Sequence, residues 1–169
     1  MACWFTRSRR WTHAGRSRAL DDPEIDSPLV PPVGAFDYRL GRAYVLHVSH
    51  PRGTWLIVGS AGFVEGALRG LTADTVFLGI GGLGSQTDAY RESFWRETAA
   101  MVAPRRIIPI HFDSLTAPVT GPFRGPVKAL AFLSSGGEKT LSFLRRKEME
   151  NPGLLFQTLP RFDEVVLFE

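Results

Sequence analysis

The chain has 169 residues, 44% hydrophobic and 22% charged, the make-up of one globular domain with room for a sizeable core. Its formal charge is +3, but Arg7, Arg9, Arg10, Arg16 and Arg18 put +5 into a stretch without acids; subtracting it leaves −2, so no basic face for nucleic acid is expected on the folded body. No apolar run nears the ~20 residues of a membrane span, the amino-terminal stretch lacks the apolar core of a secretory signal, and the single Cys3 cannot form an internal disulfide, so a reducing cytoplasm is the expected setting.

Residues 1–36 read as a basic, proline-rich segment, poorly structured or edge-like, because Pro23, Pro28, Pro31 and Pro32 exclude helix and central strand. From residue 37 to 169 the pattern is that of a folded unit. "YRLGRAYVLHVSH" and "GTWLIVGS" are strand-like runs joined by the turn "HPRG", a β-hairpin. "GFVEGALRGL" is a short helix or helical turn ending near Gly70, and "ADTVFLGI" is a nearly continuous apolar run, as in a buried parallel strand. Thr87 or Asp88 caps a helix to about Val102, with Tyr90, Phe94, Trp95, Thr98 and Met101 on its apolar side. "RRIIPIHF" is a second buried strand, and "GGEKTLSFLRRKEMENPG" a late helix stopped by Asn151-Pro152-Gly153. "LLFQTL" and "EVVLFE" close the chain as short strands. The order predicts an α/β fold with the sheet faces covered by helices.

Gly79-Ile80-Gly81-Gly82-Leu83-Gly84 matches G-x-G-x-x-G. A dinucleotide fingerprint places its third glycine in the first helical turn and an acid ~20 residues on. Here Ser85, Gln86 and Thr87 separate Gly84 from the helix, and the first suitable acid, Asp113, comes later than that spacing asks. His111 is the stronger signal. It ends a buried strand, and the carboxyl ends of parallel strands are where such sheets bind ligands. Its imidazole is either a metal ligand or a partly buried ring bonded to a carbonyl.

The segment "RGTWLIVGSAGFVEGALRGLTADTVFLGIGGL", the helix after it and "APRRIIPIHFDS" together resemble the second half of a metallo-β-lactamase-fold hydrolase, over about Tyr38 to Leu115. The resemblance implies half of an αββα sandwich with metal at the strand ends, zinc or another divalent ion. His111 matches the last histidine ligand of that family. Gly81 and Gly82 would line the pocket beside it, with Ser60 where the family usually has a bridging aspartate. Asp113 would orient a ligand or bound water, or cap the loop that follows. His13, before the hairpin, is either a second ligand or a bystander in a basic tail.

The family's H-x-H-x-D-H signature is absent. His47 and His50 are three apart and read as residues of a solvated turn rather than a ligand pair. A catalytic zinc typically takes three protein ligands and leaves a position open for water. With His111 and His13 alone the metal would be held at low occupancy and the chain would be catalytically incomplete, as expected of a truncated hydrolase of a small-molecule substrate. Two other readings stand beside it. One is a non-catalytic half-fold that forms a homodimer through its uncovered sheet face; the other is a nucleotide-binding α/β protein using the Gly79–Gly84 turn.

Overall fold

A computed structural model describes residues 2–7, 28–34, 44–112, 137–160 and 162–166. The expected hairpin is present as β2 (Tyr44–His50) and β3 (Gly53–Val58), paired antiparallel from Val45 opposite Val58 to His50 opposite Gly53. Ahead of it, β1 (Ala2–Arg7) pairs antiparallel with β2 and forms one edge of the sheet. Beyond it, β4 (Thr75–Gly79), β5 (Arg106–Ile110) and β6 (Leu155–Phe156) add in parallel, so strand order follows chain order, β1-β2-β3-β4-β5-β6. The fold is α/β with a mixed sheet.

Parallel register is set at the amino ends by Asp74. Its Oδ2 accepts from the backbone N–H of Thr54 at 2.7 Å and from the Thr54 hydroxyl at 3.0 Å, while Oδ1 accepts from Arg105 at 2.9 Å. The Asp74 carbonyl takes the N–H groups of Arg105 and Arg106. One residue thus aligns the starts of β3, β4 and β5. Pro109 sits inside β5 without cost to the ladder. The Ile107 carbonyl faces β6, accepting from Gln157 at 3.0 Å, and alternation turns Pro109 the same way, past the point where β6 has ended.

The period-two pattern sends Leu56 and Val58, Val76 and Leu78, and Ile107 to one face, all fully buried. Two helices lie on that face: α1 (Asp88–Thr98) through Phe94 and Trp95, and α2 (Gly137–Glu150) through Phe143 and Leu144. The Trp95 ring stacks on Phe156 and meets Phe143 edge-on. Both described helices thus cover one face, not two. Strand order that never reverses has this consequence, because successive crossovers of one hand all pass on the same side of the sheet. The other face carries Leu46, Ile57, Phe77 and Ile108 in register.

Between β3 and β4 the chain makes helical turns rather than a helix, with Ala67, Arg69 and Leu71 bonded three residues back, and it leaves them at Gly70. The helix expected to reach Val102 ends at Thr98 and continues as a 3₁₀ turn over Ala100–Val102. Of its apolar side, Phe94, Trp95 and Thr98 are buried, and Tyr90 and Met101 pack partly against the core. The strand expected in "LLFQTL" is limited to Leu155–Phe156. "EVVLFE" forms no strand over Glu164–Val166, and its last three residues lie outside the described part. No described helix is long and apolar enough to cross a membrane.

Candidate functional site

The carboxyl ends of β3, β4 and β5 run out side by side, as Val58-Gly59-Ser60, Gly79-Ile80-Gly81 and Ile110-His111. The Ile80 N–H donates to the Ile110 carbonyl at 3.0 Å and carries the β4–β5 ladder one residue past β4. Backbone approach is close here. A β-carbon on Gly79 would stand 2.6 Å from both the Ser60 nitrogen and the Val58 carbonyl oxygen. One on Gly81 would stand 2.7 Å from the His111 carbonyl oxygen and 3.1 Å from its Nδ1. Hydrogen at these two positions lets the strand ends close up and lays the His111 ring against the β4 terminus.

His111 itself leaves β5 with φ 57°, in the left-handed region, and is exposed. That conformation costs an ordinary residue on the order of 1 kcal/mol. It turns the chain off the sheet so that the imidazole lies at the strand ends. Ser60 is half-buried in the neighbouring turn, next to buried Ala61.

Gly81 and Gly82 occupy the centre of a turn closed by the Leu83 N–H on the Ile80 carbonyl at 3.1 Å, with Gly82 at φ 73°, ψ 0°. These are the marks of a type II turn, whose third position requires positive φ. A 3₁₀ turn, Leu83–Ser85, follows, and Gly84 belongs to it rather than to α1. The first turn of α1 is closed by its own cap, the Thr87 hydroxyl accepting from the Tyr90 N–H. The glycine turn therefore borders the strand ends at one remove from the helix.

Two groups from α1 brace this region. The Tyr90 hydroxyl donates to the Ala61 carbonyl at 2.8 Å, and burial pushes its pKa up to about 12, so it stays a donor across the physiological range. Arg91 is buried. Its guanidinium donates to the carbonyls of Gly84 and Gln86 and to the Asp88 carboxylate. Tyr90 reads in sequence only as part of an apolar stripe. Arg91 shows there only as the partner of Asp88 three residues earlier, a spacing that ordinarily marks a surface pair.

His47 corrects one reading. It is not in a solvated turn but buried on β2 among the core-facing residues, its Nε2 2.8 Å from the Thr72 carbonyl, with Nδ1 buried and without a partner among the described residues. His50 does sit beside the turn, exposed, where Nδ1 accepts from the Arg52 N–H. An odd spacing on a strand sends the two rings to opposite faces, so they cannot share a metal.

His13 and Asp113 lie outside the described residues. Among the described residues no cluster of three or more His, Cys, Asp and Glu side chains could hold a metal ion. His111 alone does not fit a catalytic zinc, which typically takes three protein ligands. Comparisons with protein-family models, with curated proteins and with solved structures gave no match.

Proposed function

We propose that the chain is the second half of an αββα metallo-β-lactamase-like hydrolase, with His111 as a ligand to zinc or another divalent metal at the strand ends, incomplete as a catalyst by itself. The observation that carries this reading is the placement of His111. It leaves the carboxyl end of β5 in a left-handed conformation and lies against Gly81, just past the end of β4, whose last residue, Gly79, abuts the Ser60 turn at the end of β3. A sheet with both described helices on one face, and apolar residues in register on the other, is what one layer pair of such a sandwich requires. No catalytic step is assigned, because the described residues supply one ligand. His13 is the proposed second ligand, and Ser60, Gly81, Gly82 and Asp113 the proposed lining of the substrate pocket.

The nucleotide-binding alternative draws less support. In doubly wound sheets, dinucleotides sit where strand order reverses, and the order here runs in one direction from β1 to β6. The self-pairing half-fold draws on Leu46, Ile57 and Phe77, half-buried apolar neighbours across three strands on the face away from the helices. Assays of ester, lactam and phosphodiester cleavage with added zinc test the proposed incompleteness. Absence of turnover is expected; turnover abolished by His111→Ala would show that the chain completes its own site.

A further inference from the structure

We infer that Tyr90 and Arg91, consecutive residues in the first turn of α1, are the positioning residues of the strand-end crevice, each holding one wall of it. This rests on the reading of that crevice as the functional site. The first wall is the Ser60–Ala61 turn, which Tyr90 fixes through the Ala61 carbonyl at 2.8 Å. The second is the glycine turn. Short turns leave carbonyls without backbone partners, and Arg91 reaches two of them, Gly84 and Gln86.

An arginine is almost never fully buried unless its donors are met. Arg91 is 7% exposed, and its acceptors are two turn carbonyls and one carboxylate. The guanidinium thereby ties the end of the glycine turn, three residues on from Gly81, to a helix that Phe94 anchors in the core with no exposed surface. Because the His111 ring rests on Gly81, movement of this turn moves the ring. Glu97 serves as the contrast. Toward the other end of α1 its buried carboxylate accepts from the Gly66 N–H at 2.8 Å, which braces the helix without touching either wall.

The experiment follows the His111 imidazole resonances, assigned with His111→Ala, in the full chain and in Tyr90→Phe, Arg91→Gln, Arg91→Lys and Glu97→Gln, with melting temperatures alongside. Arg91→Gln is expected to shift the His111 signals and to speed amide exchange at Ser85 and Gln86 by about tenfold, the scale of a lost charged hydrogen bond. Arg91→Lys should recover part of both changes. Tyr90→Phe, which removes only a hydroxyl and tests the proposal even if Arg91→Gln fails to fold, should shift the Ser60 amide and His111. Glu97→Gln should lower the melting temperature and leave His111 in place. His111 signals unmoved by Tyr90→Phe and Arg91→Gln, or moved equally by Glu97→Gln, would overturn the assignment. A chain that binds no metal but shows these shifts would instead remove the hydrolase reading and leave the positioning intact.

Discussion

His111 packs against Gly81, with its ring Nδ1 3.1 Å and its backbone carbonyl oxygen 2.7 Å from where a β-carbon on that glycine would be. Gly81→Ala must therefore push β5 and its histidine away from β4. Overpacking of this kind costs about 1–3 kcal/mol, read as a lower urea midpoint, and should be accompanied by displaced His111 signals. Gly59→Ala is the control. Nothing stands within 4 Å of its β-carbon position, so its midpoint should be unchanged or slightly raised.

Acid should unfold the protein through two carboxylates that brace its frame. The backbone N–H of Thr54 on Asp74, with help from the Thr54 hydroxyl and Arg105, holds that carboxyl below its ordinary value. The Gly66 N–H and the Arg96 guanidinium do the same for Glu97. A folded-state pKa below the unfolded one gives stability that is present above the unfolded value and is lost as pH falls through the folded one. The urea midpoint should hold steady down to about pH 5 and fall below the ordinary carboxylate range of about 4. Glu97→Gln should lower stability at neutral pH and make the acid fall shallower. A midpoint constant down to pH 3 would contradict this.

The face away from the helices should make the chain associate with a second copy of itself. Sedimentation velocity over a range of concentrations is expected to show a dimer. Ile57→Glu, placed between half-buried Leu46 and Phe77 on that face, should weaken it while leaving the helix-covered core intact. A monomer at every concentration would exclude the self-pairing reading.

The hairpin and the parallel strands were legible because their apolar runs are bounded by turn residues, and α1 because Thr87 stands where a cap belongs. The pairing of β1 with β2 was not, since it joins segments more than 35 residues apart and depends on contacts that local pattern does not carry. Burial of His47 was written in the sequence after all. Alternation along β2 puts Val45 and His47 on one side, whereas the H-x-x-H spacing with Pro51 after it has the look of a turn. The position of His111 at a strand end could be read from "IIPIH". Its contact with Gly81, and the bracing by Tyr90 and Arg91, could not, because each joins residues about 30 apart or turns a residue expected on the surface inward.

The most direct measurement is the metal content of the purified chain by elemental analysis, beside His111→Ala. If His111 is a ligand of a metallo-hydrolase site, the chain carries zinc or another divalent metal, up to about one per chain at the single site that a histidine of this kind serves, and the variant loses it. No metal in either protein, under zinc-replete conditions and with both folded, would contradict the proposed metal site and leave the chain as a half-fold without that chemistry.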